Sequence, residues 1–348
     1  MRDHTRHGTA DVNRRPLVTI VLPTFNRASF LPDAFASIEK QTFSDWELVV
    51  VDDGSTDSTR DAVSAFAASR EQSVRYVYQT NQGPAAARNC GVREAQTPYL
   101  AFFDSDDLWL PDYLMRGVTA LEANPDIDWV FSACTIVDFD SGRTVDPNTF
   151  YISDRERPFL TLAAEAREGH VRAIVDRRAL EYQVAHGLYC GPQNSIIRRT
   201  VFAHSTFPEH LRVGEDQLLV MSALAHGARL AYYSEPNVLY RLHDSNSSSA
   251  STAQSSERLV KAFGPLVAAL QRFPAECPLT RDEQRALNKR VGGEYFWHLG
   301  YNAYWRNGRR REALEMFGRG LAAWPWDIAA WKTYVLSTLK TAVQGSVE

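Results

Sequence analysis

The chain has 348 residues, of which 44% are hydrophobic and 23% charged. That balance argues against a disordered, collagen-like or integral membrane protein, and the length admits one large domain or a main domain with an appendage. A formal net charge of −4 gives no global attraction to nucleic acid or to an anionic membrane, so no nucleic-acid partner is expected and partners must be read from local sites.

Cys90, Cys134, Cys190 and Cys277 lie far apart, without the paired spacing of a disulfide framework or a zinc site, and read as free buried thiols. Residues 1–16 mix Arg, His, Asp and Gly without periodicity and read as a disordered leader. No stretch approaches the ~20 apolar residues of a membrane span, and the N-terminus has no apolar signal core. A cytoplasmic protein is therefore expected.

From Leu17 the chain alternates short apolar runs with amphipathic segments. Leu17 to Leu22 is a β-branched run ended by Pro23, as a buried strand would be, and Phe30, Leu31, Ala34, Phe35 and Ile38 then recur on one helical face. Leu48 to Val51 predicts a second buried strand closed by Asp52-Asp53-Gly54, followed by a helix over Ser58 to Ser69 and a strand over Val74 to Tyr78. Pro84 opens a helix through Ala95, and Tyr99 to Phe103 is a fourth strand ending at Asp104. Such alternation implies βαβ units and a mostly parallel sheet.

In such sheets the ligand crevice lies beyond the carboxyl ends of the strands. Those ends carry Thr24-Phe25-Asn26, Asp52-Asp53 and Asp104-Ser105-Asp106, so three polar clusters are expected at one edge. Neither GxGxxG nor GxxxxGK[ST] occurs, which weighs against a dinucleotide or P-loop site. Further on, Trp129-Val130-Phe131 reads as a strand, Asp138 to Asn148 as turn-rich and Leu160 to Val184 as a helix. Ser245 to Ser256 reads as a flexible linker, with a domain boundary near Gln254 and a helical remainder.

Val18 to Asn26, Val51 to Asp57 and Phe103 to Asp107 resemble, in order, the signatures of glycosyltransferase family 2, and the resemblance spans roughly residues 17–245. It implies a GT-A fold, the Rossmann-like mixed α/β sheet of nucleotide-diphospho-sugar transferases, over 17–250, with a helical extension over 255–348. It also implies inversion at the anomeric carbon and a need for Mg2+ or Mn2+. The donor would be a nucleotide sugar, a UDP-sugar first, and the acceptor a hydroxyl of a glycan or lipid-linked glycan, in cell-surface polysaccharide or glycoconjugate synthesis. The rival from another class is a non-catalytic sugar-nucleotide-binding or scaffolding protein, which would keep the donor motifs and lack a working base.

The metal has an independent argument. A nucleoside diphosphate would be repelled by two carboxylates unless a hard dication sat between them, and that ion would neutralise charge on the leaving diphosphate. By resemblance Asp106 is the direct ligand, and Asp104 contacts the ribose or reaches the metal through water. The alternative is an acidic turn capping the helix near Pro111, for which Asp107 and Asp112 are eligible. Asp53 corresponds to the family acid that recognises the base. Pro23, Thr24, Asn26 and Ser105 join it at the donor site, while Asp52 and Asp57 suit turn and cap chemistry. Arg88 is placed near the donor phosphates, where its fixed charge could pair with them. Glu215-Asp216 resembles the family's acidic base motif, with Asp216 as the base and Glu215 as the alternative. His243 resembles the late histidine that serves some GT-A enzymes as a further metal or phosphate ligand, and an imidazole favours manganese.

In the tail, Phe296, Leu299, Gly300, Tyr304, Ala313, Phe317 and Pro325 loosely approximate one tetratricopeptide unit. Packing on the catalytic domain is the favoured reading. The second is peripheral contact with the inner face of the plasma membrane, through Trp324-Pro325-Trp326 and Arg306, Arg309, Arg310 and Arg311.

Overall fold

A computed structural model describes residues 15–243 and 255–345. The predicted leader lies almost wholly outside them, as do the serine-rich segment and the boundary near Gln254.

Four strands alternate with three helices at the start: β1 (Val18–Thr24), α1 (Leu31–Glu39), β2 (Trp46–Asp52), α2 (Thr59–Ala68), β3 (Val74–Tyr78), α3 (Pro84–Glu94) and β4 (Tyr99–Phe102). They form a parallel block in spatial order β4-β1-β2-β3. Val18, Ile20 and Leu22 of β1 bury against α1, α2 and the later helix α4 (Tyr113–Ala123), while Val21 faces the opposite layer. With both faces covered, β1, β2 and β4 are near-continuous apolar runs rather than alternating ones.

The short β5 (Leu108–Trp109) precedes α4, and β6 (Trp129–Asp138) follows it. After β6 come β7 (Thr144–Asp146), the small hairpin β8 (Tyr151–Ile152) and β9 (Arg155–Glu156), β10 (Ala164–Arg167), β11 (Val171–Ile174), α5 (Ala179–Ala185), β12 (Ser195–Arg198), α6 (Glu215–Ala225) and β13 (Leu230–Leu242). The sheet continues β10-β11-β13-β6-β12-β4, with β12 antiparallel to both β4 and β6 and β13 parallel to β6. The whole is a mixed sheet with a parallel block at its N-terminal side.

The helix expected over Leu160 to Val184 is mostly a β-hairpin. Its composition favours helix, but β10 and β11 pair antiparallel around a turn at Gly169 and His170, both at positive φ (80° and 59°). Val171 and Ala173 are buried in one layer and Ile174 in the opposite one, the alternation of a strand that packing rewards over helix propensity.

Beyond residue 254 come α7 (Ser256–Glu276), α8 (Arg281–Gly293), a π-helical stretch Glu294–Tyr304, α9 (Arg310–Ala323) and α10 (Ile328–Gly345). Leu266, Val267, Leu270 and Phe273 of α7 share one cluster with Leu287 and Val291 of α8 and with Leu180, Val184, Leu218 and Met221 of α5 and α6. The extension is thus docked on the sheet domain through a common core. Phe296 stacks on Phe317 at 4.3 Å between ring centroids, and Gly300 permits it, since a Cβ there would meet Phe317 Cδ1 at 2.6 Å. The π-helical stretch and α9 therefore pack as a helix pair.

Candidate active site

A cavity of about 370 Å³ opens beyond the carboxyl ends of β1, β2 and β4, where Pro23, Thr24, Asp53, Arg88 and Asp104 to Asp106 line it together with Glu215. The three clusters expected at one edge do meet there. The parallel ladder delivers them, continued by bonds from the Asp53 amide to the Thr24 carbonyl (2.9 Å) and from the Phe103 amide to the Val21 carbonyl (2.8 Å).

The α3 helix forms the floor. Gly83 precedes it at φ 97°, a conformation that favours glycine. Gly91 lets the helix press onto β1, because a Cβ there would fall 2.2 Å from Val21 Cγ1. This close approach buries Arg88, whose guanidinium donates to Asp104 Oδ1 (2.8 Å) and Glu215 Oε1 (3.2 Å). Burial alone would lower the Arg88 pKa, but Asp104 and Glu215 more than offset it and the net shift is upward. One buried cation thus holds the first acid of Asp104-Ser105-Asp106 and the first acid of Glu215-Asp216.

Asp106 turns the other way. Its Oδ2 is 3.1 Å from His243 Nε2 and 3.9 Å from Arg27 Nη2. The His243 ring is held between Phe30 and Phe139, with centroids at 5.2 and 5.7 Å. Residues 137 apart in sequence therefore converge at the end of β13. A carboxylate oxygen and an imidazole nitrogen at this separation suit a divalent ion that takes its remaining ligands from phosphate and water. Among the described residues no group of three or more His, Cys, Asp or Glu side chains forms a complete protein cage.

Asp107 is buried and accepts from the Arg241 amide (3.1 Å). Burial, with Asp104 and Asp106 adding to it, pushes its carboxyl well above the usual range. Arg241 also donates to the Asp106 carbonyl and pairs with Asp33 (2.8 Å), so this arginine pins the acidic loop to β13. Asp112 accepts from Thr42 Oγ1 and makes no side-chain cap on α4.

Asp53 accepts from Gln79 Nε2 and the backbone amides of Gln82 and Gly83, all at 2.7–2.8 Å. Three donors leave about one of the four lone-pair positions of a carboxylate for a ligand. Asn26, at φ 52°, lies outside the cavity lining; its Oδ1 accepts from the Thr56 amide and its own amide donates to Ser55 Oγ. It ties one loop to another rather than presenting donors to a ligand. Asp52 takes the Ser55 amide and the Tyr76 hydroxyl, and Asp57 takes Thr59 and the Ala28 amide, both as turn and cap groups.

Glu215 and Asp216 open α6 behind Gly214 (φ 81°). Burial raises both carboxyls above their ordinary values; Arg88 opposes the shift at each, Asp216 adds to it at Glu215, and the Gln217 amide opposes it at Asp216. The two acids face different spaces. Glu215 lines the first cavity, while Asp216 lines a second of about 450 Å³ with Tyr189, Gln193, Asn194 and Arg157. Tyr240 borders both. Asn194 donates to the Ser132 and Tyr189 carbonyls, and its buried Oδ1 has no hydrogen-bond partner among the described residues.

Arg27, Arg212 and Tyr240 also line the first cavity, and Gln79 and Gln82 hold Asp53 at its edge; none of the five was singled out from sequence. Each sits on a loop or strand end with no periodic signal, and Arg212 in particular lies over Gly83, a residue more than a hundred positions away.

Residues 19–182 match the family model described as glycosyl transferase family 2. The chain is 34% identical over 133 residues to the Escherichia coli protein named UDP-Glc:alpha-D-GlcNAc-diphosphoundecaprenol beta-1,3-glucosyltransferase WfgD, covering 38% of this chain and 51% of that one. The chain thus spans about half the length of this relative, and 30–39% of three other curated relatives it matches. Staphylococcus aureus TarS 1–349, solved with UDP-GlcNAc, superposes with a TM-score of 0.62 at 20% identity over 88% of this chain and 81% of that one. The mannosyltransferase PcManGT of Pyrobaculum calidifontis, solved with GDP-Man and Mn2+, superposes with a TM-score of 0.52 at 18% identity over 98% and 83%. These structures share the GT-A architecture. The chain thus carries, over residues 19–182, a domain matching glycosyl transferase family 2.

Proposed function

We propose that the chain transfers a sugar, with inversion and metal dependence, from a nucleoside diphosphate donor to an acceptor hydroxyl in cell-surface polysaccharide or glycoconjugate synthesis. The observation that carries this reading is the placement of Glu215 and Asp216 at two neighbouring cavities, Glu215 at one lined by Asp104 to Asp106 and Arg88, Asp216 at the other, whose mixed lining includes Arg157, Tyr189, Gln193 and Asn194.

Inversion requires the attacking hydroxyl and the leaving diphosphate to lie on opposite sides of the anomeric carbon. In this reading the diphosphate occupies the first cavity, where Arg88 and Arg27 supply positive charge. The acceptor occupies the second, where Asp216 takes the proton of the attacking hydroxyl. Burial of Asp216 favours this role, because a carboxylate with a raised pKa is a stronger base. Asp106 and His243 would hold the Mg2+ or Mn2+, which neutralises charge on the departing diphosphate when bound. Asp53 would recognise the base with its remaining lone pair, and Thr24 and Ser105 would line the nucleoside pocket.

A UDP-sugar is the favoured donor, which agrees with the UDP-GlcNAc bound by TarS, and the metal agrees with the Mn2+ of PcManGT. The lipid-linked acceptor named for WfgD supports a similar acceptor class here. A thermal-shift screen of UDP-, dTDP- and GDP-sugars with and without Mn2+ tests the reading. Expected is stabilisation by a UDP-sugar that appears only with metal. Stabilisation by no nucleotide sugar, or equally in EDTA, would count against it.

A further inference from the structure

The α10 helix is apolar on the side turned away from the protein. Its inward face, against α9, is Ala330, Thr333, Tyr334, Ser337 and Thr341, with Ala330 and Ser337 buried. Its outward face is Ile328, Trp331, Val335, Leu336 and Leu339, all exposed, with Ile328 at 84%. At 100° per residue these five positions fall in one arc of the helix, opposite Ser337. Trp326, at 74% exposure, precedes the stripe at its N-terminal end. A surface helix ordinarily turns its apolar side to the core, and a contiguous exposed apolar stripe marks an interaction surface.

Charge selects the occupant. The chain as a whole carries −4, yet residues 305–345 hold seven Lys or Arg against three Asp or Glu, and no acidic residue lies between Ile328 and Gly345. Lys332 falls within the apolar arc and Lys340 beside it, both exposed. Arg306, Arg309 and Arg311 are exposed at the start of α9. A second protein with an apolar patch would gain little from a lysine in the middle of the contact. A lipid surface would accept it, since a long amine side chain buries its stem and keeps its head among anionic phosphates. Trp331 on the stripe and Trp326 just before it suit the interfacial zone, where aromatic rings are accommodated. No helix among the described residues is long and apolar enough to cross a membrane, so the contact is a surface one.

We infer that α10 lies flat on an anionic membrane, with Ile328, Trp331, Val335, Leu336 and Leu339 in the interface and Lys332 and Lys340 among the headgroups. This surface is independent of the donor and acceptor cavities, and it stands or falls separately from the catalytic reading.

The test is co-sedimentation of the full chain with phosphatidylcholine vesicles, with and without 30% phosphatidylglycerol. Expected is binding to the anionic vesicles alone, weakened by 0.5 M NaCl. The double substitution Lys332→Glu and Lys340→Glu is expected to reduce binding at least tenfold, since each basic residue near such a surface contributes about a factor of five. Trp331→Ser with Leu339→Ser is expected to abolish it and the accompanying blue shift of tryptophan fluorescence. Because the substituted side chains are exposed, the melting temperature should remain that of the parent, which separates loss of binding from loss of fold. Absence of binding to anionic vesicles would overturn the inference. So would binding indifferent to Trp331→Ser with Leu339→Ser, or a light-scattering mass showing that this face is covered by a second copy.

Discussion

Asp106 shows what a single position carries. Sequence gives three acids in four residues, Asp104, Asp106 and Asp107 around Ser105, and any of them would suit a turn. The structure separates them by partner: Asp104 to Arg88, Asp106 to His243, Asp107 to the Arg241 backbone. Asp106→Asn is expected to fold normally and to weaken metal-dependent nucleotide-sugar binding roughly tenfold or more, as an amide is a poorer ligand for a hard dication. Calorimetry in Mn2+ and in EDTA reads this, and unchanged affinity in Mn2+ would remove Asp106 from the metal site. Glu215 and Asp216 supply a pH prediction with opposite signs for stability and rate. Both carboxyls are raised above their ordinary 4.5 and 3.8, so the folded state binds more protons than the unfolded state as pH rises from those values. The contribution of these groups to stability therefore declines through that window and then levels off. Transfer instead rises over the same window, since Asp216 must be ionised to act as base. Melting temperatures and kcat/KM from pH 4 to 8 check both, with Asp216→Asn expected to flatten the stability decline.

At the scale of elements, the parallel block was legible because its strands are unbroken apolar runs and its helices have clear periods. The region from Leu160 to Val184 was not. Its Ala, Glu, Arg and Leu content favours helix locally, and pairing with β10 and with the distant β13 makes β11 a strand. β13 itself, thirteen residues long, was not read as a strand, since its pairing comes from the distant β6 and not from any local period. His243 could therefore be singled out by motif while its distance from Asp106 could not. The α7 and α8 helices share one apolar cluster with Leu218 and Met221 of α6 and Leu180 and Val184 of α5, and α8 lies directly against α5. Ending the chain after Ser255 uncovers these side chains, at about 1.5–3 kcal/mol for each one fully exposed. Such a truncation is expected to melt markedly earlier or to aggregate, as read by calorimetry and light scattering. A stable, monomeric, active truncation would show that the shared cluster is dispensable. Packing and membrane contact were rival readings of the tail, yet they divide between helices: α7 and α8 are docked, whereas α10 is open on its apolar side.

For the whole molecule, the sheet joins two spaces at one pair of residues. The parallel block brings the donor-side acids to one edge, the antiparallel insertion of β12 carries the chain across, and α6 then sets Glu215 toward one cavity and Asp216 toward the other. Sequence named Asp216 as the base with Glu215 as the alternative, without access to their environments; the difference in environment arises from Arg88, whose bond to Glu215 leaves Asp216 the acid on the far side. The most direct measurement is the comparison of donor affinity and transfer rate for Asp216→Asn and Glu215→Gln, with the nucleotide sugar found in the screen and a soluble acceptor. Expected for Asp216→Asn is donor affinity within about twofold of the parent and transfer reduced on the order of a hundredfold or more, the usual contribution of a general base. Transfer by Asp216→Asn at the parental rate would contradict the assignment of the base and of the second cavity to the acceptor.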